Sequence, residues 1–239
     1  MEHNVIKRLF LSLLLSCALI SPVDAATFYI LAGQTSYTLP PDWNVAANTI
    51  EAIGEGGCGL SAVGFGQATG AGGAGAYSEI TNLSDAPGTV ETVQVGAGCT
   101  ATTTQFKNGS TLVADYGRTA TGITGAVGGL ASNSVGSNKH SGGNGGGAQT
   151  FANTTGGPGG GGSAGPTGDG KAGGSQVDGS NLGGASGGGS DGGSSTAGNP
   201  STSGAGVDGG QGTSGAGAGL GTSVAGQAGG NGTLGGGGG

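Results

Sequence analysis

Between residues 26 and 121, apolar and β-branched side chains come in short runs closed by glycine, proline or Asn-Gly. The runs are TFYILAG, TSYTLPP, NTIEAIG, GAYSEITNL, GTVETVQVGAG, TTQFKNG and STLVADYG. Each is rich in Thr, Val, Ile, Tyr or Phe and is strand-length. In TVQV, Val93 and Val95 fall on one side and Thr92 and Gln94 on the other, the alternation of a half-buried strand. TFYILAG and TSYTLPP meet at Gly33-Gln34, and Pro40-Pro41 closes the second. Asn108-Gly109 predicts a two-residue hairpin between TTQFK and STLVADY. The pattern places Phe28, Tyr37, Trp43, Ile50, Ile80, Val93, Val95, Phe106 and Leu112 near one core.

Two other compositions flank these runs. Upstream, Lys7 and Arg8 precede an apolar stretch from Leu9 to Ile20, then a small-residue site at Val23-Asp24-Ala25. This order predicts a secretory signal peptide over residues 1–25, cleaved after Ala25. The apolar stretch falls short of the ~20 residues a membrane-spanning helix needs. A lipoprotein box at Leu14-Leu15-Ser16-Cys17 is the alternative. It would lipidate Cys17 and give the chain its one membrane contact, but Leu15 matches the box poorly and the apolar run continues past it. Downstream of Tyr116 the only aromatic is Phe151, so residues 122–239 lack the material for a side-chain core.

What fills that second half is glycine. The chain has 64 glycines in 239 residues, against a usual share of roughly 7%. They recur every third residue at Gly156, Gly159, Gly162, Gly165 and Gly168. They do so again at Gly206, Gly209, Gly212 and Gly215, where Ala218 and Gly221 keep the phase, and at Gly226, Gly229, Gly232, Gly235 and Gly238. Three residues make one turn of a polyproline-II-type helix, so a period of three lines one helix face with glycine and lets another backbone approach. The phase breaks at KAGGSQVDGSNLG and SSTAGNPSTSG and weakens over 183–193. Asp-Gly pairs beginning at Asp169, Asp178, Asp191 and Asp208 mark turns. Residues 122–239 therefore read as short glycine helices folded back on one another and seated on the β half. The alternative is a flexible coil, as glycine- and serine-rich segments commonly are. The expected fold class is all-β: a small antiparallel β-sandwich over 26–121 followed by a bundle of glycine-rich polyproline-II-type helices over 122–239. The chain ends inside a glycine run without a capping strand, the ending expected of a fragment.

Charge and chemistry narrow the function. Six Lys and Arg against thirteen Asp and Glu, a net charge of −7, argue against nucleic acid. Cys58 and Cys99 are the two cysteines after the leader; in oxidising surroundings they pair, and otherwise they stay free thiols. A zinc site with His140 lacks ligand spacing, and no cofactor or metal is expected. Gly54, Gly56 and Gly59 complete a G-x-G-x-x-G after an apolar strand, but the glycines that follow exclude the helix a dinucleotide site requires. GPTGDGKA approaches a phosphate-binding loop, yet Ala172 stands where that loop needs Ser or Thr. His140 lies in SNKHSGG, a glycine loop that offers a catalytic triad no scaffold. A calcium-binding nonapeptide repeat never recurs.

TSYTLPPDW, TIEAIGEGG, GAGGAGAYSEI, VQVGAGC and TTTQFKNGSTLVADYG, in that order, resemble the glycine-rich domain of phage tail-fibre adhesins and of assorted secreted bacterial proteins. The resemblance spans most of 27–239. It implies a β region packed against a sandwich of polyglycine-II helices, with turns at the tip recognising bacterial surface receptors. Trp43 follows the proline pair instead of preceding it, and Cys58 and Cys99 stand where glycine is usual. The leader favours a bacterial secreted or surface protein over a phage particle component. The expected function is non-enzymatic: adhesion to a cell-surface protein or glycan, or a surface-structural role. The expected contact loops are 171–182 and 196–204, with Lys171, Asn181 and Asn199. An ice- or crystal-surface binder is the alternative, although Thr196, Thr202, Thr213, Thr222 and Thr233 are irregularly spaced for one. An unstructured extracellular matrix tail is a further alternative.

Overall fold

The computed structural model describes residues 26–60, 69–148 and 157–176. Residues 1–25 with Cys17, and Asn181, Asn199 and the glycine runs beyond 176, lie outside the described residues. Seven short strands form: β1 Ser36–Thr38, β2 Thr49–Ile53, β3 Tyr77–Thr81, β4 Val90–Gln94, β5 Thr104–Phe106, β6 Leu112–Ala114 and β7 Asn138–His140. They make two antiparallel sheets, one ordered β1-β4-β5-β6 and one β2-β3-β7. Among the described residues there is no α-helix, only a 3-10 turn at Ala131–Asn133.

The alternation of the sequence sets which face is buried. Ile50, Ala52 and Ile80 share one face of the β2-β3 pair and meet Leu39, which follows β1, and Val93, Phe106, Leu112 and Ala114 of the other sheet. Tyr37, Trp43, Ile30 and Leu83 close the rim of this cluster. Burying a side chain of the Leu or Phe class contributes about 1.5–3 kcal/mol, so these few residues supply most of the platform's hydrophobic stability. Glu91 also points inward and is 6% exposed. Burial raises its carboxyl above the usual range, while Lys107, 4.0 Å away, pulls the other way. Lys107 lies 2.5 Å from Asp85, which holds its ammonium above the ordinary value.

Several expectations need correction. TFYILAG is not a strand: Phe28 is 56% exposed and Tyr29 82%, and the chain turns at Gly33, where φ is +91°. Val95 is outside the core cluster, whereas Leu39 and Ala114 are in it. The β5-β6 hairpin forms, but its loop is longer than two residues. Phe106 pairs with Leu112, and Lys107 takes a left-handed φ of 68°. Asn108 Oδ1 accepts from Ser110 N–H, Ser110 Oγ–H and Thr111 Oγ1–H, so the Asn side chain, not a tight Asn-Gly turn, shapes the bend. His140 is not in a loop; it sits in β7, opposite Tyr77 of β3.

Candidate functional site

The strands run on into glycine. β2 continues as 54–58, β3 is preceded by 70–76, and β6 continues as 115–120; 122–129, 141–148, 157–165 and 168–176 follow. These extended segments bond to one another through the main chain in steps of three residues. At the centre, 70–76 donates from Ala71 and Ala74 to Gly146 and Gly143, and from Gly73 and Ala76 to Arg118 and Asp115. Its carbonyls follow the same step. Ala71 and Ala74 accept from Ala126 and Gly129, Gly72 and Gly75 from Gly161 and Ala164, and Gly73 and Ala76 from Gly57 and Gly54. Five neighbours thus bond to one segment. A flat strand bonds to two at most, because its donors point only sideways. Outer contacts repeat the rule: 142, 145 and 148 donate to 129, 126 and 123, while 170, 173 and 176 donate to 141, 144 and 147.

Glycine is required by this closeness. A Cβ at Gly54 would collide with the Asp115 carbonyl, one at Gly73 with that of Val127, and one at Gly146 with that of Gly174. Conformational freedom is a separate need: among the described glycines only Gly33 and Gly88 have positive φ. The nucleotide-like motif is thereby explained. Gly54 N–H already donates to Ala76 O, and Gly57 N–H to Gly73 O, so amides that would hold a pyrophosphate hold backbone instead. In GPTGDGKA, Gly168 donates to Gly165 and Gly170 to Ser141.

A disulfide and two buried carboxylates clamp the ladder to the platform. Cys58 and Cys99 form a disulfide with Cα atoms 5.2 Å apart, closing a separation of 41 residues. Beside it Glu55, 4% exposed, accepts from Thr100 Oγ1–H at 2.7 Å and Thr102 N–H at 2.8 Å, so the 96–102 loop is held to segment 54–58 twice over. Asp115, 3% exposed, accepts from Leu130 N–H at 2.8 Å, Arg118 at 3.1 Å and Asn133 at 3.2 Å. A buried carboxylate with three donors is compensated, and it fixes the chain entering β7. Tyr77, fully buried, donates its hydroxyl to Glu51 Oε1 or Glu79 Oε2, each 2.8 Å away. Burial and these carboxylates raise its phenol well above 10. His140 lies beside Tyr77, its Nδ1 3.6 Å from Asp169 Oδ1. Among the described residues no group of three or more His, Cys, Asp or Glu is placed to hold a metal ion.

Of the expected contact residues, Lys171 is described. Its carbonyl accepts from Gly162 N–H, so its main chain belongs to the ladder and only its half-exposed side chain is available for contact. The described turn at Gly165-Pro166-Thr167-Gly168 joins two ladder segments, and Asn138 Nδ2 donates to Pro166 O, seating it on β7. The sequence reading missed the clamps. Glu55 stands between two glycines and Asp115 two residues before Gly117, each just past a strand end, and a carboxylate in so apolar a setting was their available signal.

No family model, no curated protein and no solved structure matches the chain.

Proposed function

We propose that the protein is an exported, non-enzymatic adhesion or surface-structural module. In this reading a β-platform carries a bundle of polyglycine-II-type helices, and the turns of the bundle form the recognition surface for a cell-surface protein or glycan. One observation carries it: the three-residue step of the ladder, with bonds leaving 70–76 toward five neighbours. A helix with three residues per turn points its donors in three directions and its acceptors in three others. Segments held by their main chains place little demand on the sequence of the turns between them, and that freedom suits recognition. The ladder also supports the likeness to glycine-rich domains of phage tail-fibre adhesins and secreted bacterial proteins. The Cys58–Cys99 bridge fits an oxidising compartment.

Labelled mature protein applied to bacterial envelopes and glycan arrays tests the proposal, alongside variants with 171–182 or 196–204 replaced by Gly-Ser. Saturable binding that falls at least tenfold in a loop variant of unchanged circular dichroism is the expected result. Binding indifferent to both replacements overturns the assignment of the turns, and no binding to any envelope or glycan overturns adhesion.

A further inference from the structure

Asn-Gly occurs in the chain at Asn108-Gly109, Asn144-Gly145 and Asn231-Gly232, and the last pair lies outside the described residues. The dipeptide carries its own chemistry. The main-chain nitrogen after an asparagine can attack that asparagine's side-chain carbon, Cγ, and close a five-membered ring. Glycine leaves the nitrogen uncrowded because it has no Cβ. A folded chain permits the reaction where the nitrogen is free to attack and donors meet the charge that gathers on the side-chain oxygen.

The two described pairs differ in both respects. Both asparagines are exposed, so access to water does not separate them. Gly145 N–H donates to Ala126 O at 2.8 Å, inside the ladder, and Asn144 Oδ1 accepts from Gly128 N–H at 2.9 Å. That pair is held against a neighbouring segment. Asn108 instead opens a β-turn closed by Thr111 N–H on Asn108 O at 3.2 Å. Gly109 is second in that turn, where the turn makes no use of the N–H, and it is exposed. A Cβ at Gly109 would meet only Gln105 Oε1, at 3.7 Å, so the space around it is open. Asn108 Oδ1 accepts from Ser110 N–H at 2.9 Å, Ser110 Oγ–H at 2.8 Å and Thr111 Oγ1–H at 3.0 Å. Three donors thus converge on the atom that turns negative when Cγ is attacked, the arrangement of an oxyanion hole.

We propose that Asn108 is a site of spontaneous deamidation in the folded protein, assisted by Ser110 and Thr111, and that the ladder keeps Asn144 from the same reaction. The step needs only water. Gly109 N loses its proton to base and bonds to Asn108 Cγ. The Cγ–Nδ2 bond breaks, and the departing nitrogen takes up a proton and leaves as ammonia. Water then opens the ring. Cleavage at Cγ restores the main chain with aspartate at position 108. Cleavage at the main-chain carbonyl carbon routes the chain through the side chain, as isoaspartate. Nothing is oxidised or reduced, and either product adds a negative charge. Aspartate keeps an oxygen for the three donors. Isoaspartate instead lengthens the main chain between Phe106 and Leu112, which pair across β5 and β6. Age therefore alters the hairpin that supplies both of these side chains to the core.

Ageing the whole mature chain, disulfide intact, in mildly alkaline buffer tests this. Peptide mass mapping follows the gain as an amide becomes an acid, and electron-transfer fragmentation separates isoaspartate from aspartate. In the folded chain Asn108 should convert about tenfold faster than Asn144 or more, the factor that one ordinary hydrogen bond on Gly145 is worth. Isoaspartate should be among the products, and denaturing the chain should bring the two sites to similar rates. Ser110→Ala with Thr111→Val removes two of the three donors and leaves the Ser110 N–H. With circular dichroism unchanged, it should slow Asn108 about tenfold, less than a donor in a dry oxyanion hole supplies because this turn faces water. Gly109→Ala, for which there is room, should slow it as well by crowding the nitrogen. Equal rates at Asn108 and Asn144 in the folded chain overturn the inference, and so does an Asn108 that reacts only after denaturation. A Ser110→Ala, Thr111→Val chain that converts as fast as the parent overturns it too, because the hydroxyls then give no assistance. Aspartate without isoaspartate, or a Gly109→Ala chain of undiminished rate, would mean direct attack by water and overturn the ring.

Discussion

The platform and the ladder solve one problem, the burial of backbone, by opposite means. In the platform, strands stand side by side and their inner faces are held apart by Leu39, Val93, Phe106 and Leu112. Side chains supply the hydrophobic gain, and each main chain bonds to at most two neighbours. In the ladder the positions where segments approach most closely are glycine or carry a single methyl, as at Ala71, Ala74 and Ala164, all 0% exposed. Each main chain can then bond to several neighbours. Hydrophobic burial is small there, and each hydrogen bond contributes only about 1 kcal/mol net. Ordering glycine costs more entropy than ordering any other residue. The ladder is thus stable chiefly as a continuation of something already ordered. The structure agrees, because three of its segments are direct extensions of β2, β3 and β6, and Glu55, Asp115 and the disulfide tie it down. A glycine-rich stretch can be specific architecture when a side-chain core supplies its first segments.

The comparison breaks most severely where a side chain is forced into the ladder. Gly73→Val should prevent the ladder from forming, at a cost of about 4 kcal/mol or more, beyond the usual range for overpacking, because the obstruction is backbone. Gly98→Ala, with open space around it, should stay within about 0.5 kcal/mol of the parent. Thermal unfolding of the two variants makes the contrast. If Gly73→Val unfolds like the parent, close backbone approach is not what the glycines provide.

Removing the clamp should come next. Cys58→Ala with Cys99→Ala opens a 41-residue separation, about 4 kcal/mol in the chain-entropy model and less where the denatured chain keeps structure. Exchange at Gly54 and Gly57 should rise before exchange in β4 and β5. Simultaneous loss in both regions would make the bridge a global staple instead.

Leu112→Ala tests the reverse dependence. A cavity at this fully buried position should cost about 3 kcal/mol and destabilise ladder and platform together. A ladder that keeps its amide protection after the platform has melted would contradict its reliance on the β half.

The smallest effect is in pH. The Tyr77 phenol is raised in the folded state, so its contribution is complete below pH 10 and is lost as pH climbs beyond that value. Absorbance titration should show the Tyr77 phenol ionising only with alkaline unfolding. Tyr77→Phe should abolish this late step, and a late step that survives the substitution would contradict its assignment to Tyr77.

Six of the seven strands fall within apolar runs because alternation and bounding glycines are local signals. β7 was invisible: Asn138, Lys139 and His140 are polar, and only pairing with β3 makes them a strand. TFYILAG failed the other way. Its local preference is for strand, but no partner takes it up. The ladder was half legible. Gly159, Gly162 and Gly165 announced a period of three, whereas Gly54, Gly57, Gly70 and Gly73 have the same spacing and looked like loop at strand ends. Nothing local distinguishes a glycine that turns a chain from one that admits another chain beside it.

By itself, then, the amino-acid order determined the all-β class, the location of the side-chain core, and the fact that the glycines serve something other than a nucleotide. Those follow from short-range periodicity and composition, which act within a few residues. The tertiary structure decided that the glycine ladder begins inside the platform, that 70–76 is its centre, and that Glu55 and Asp115 are its anchors. Each of these depends on which distant main chains lie within hydrogen-bond reach, a relation between segments that no single stretch of sequence contains.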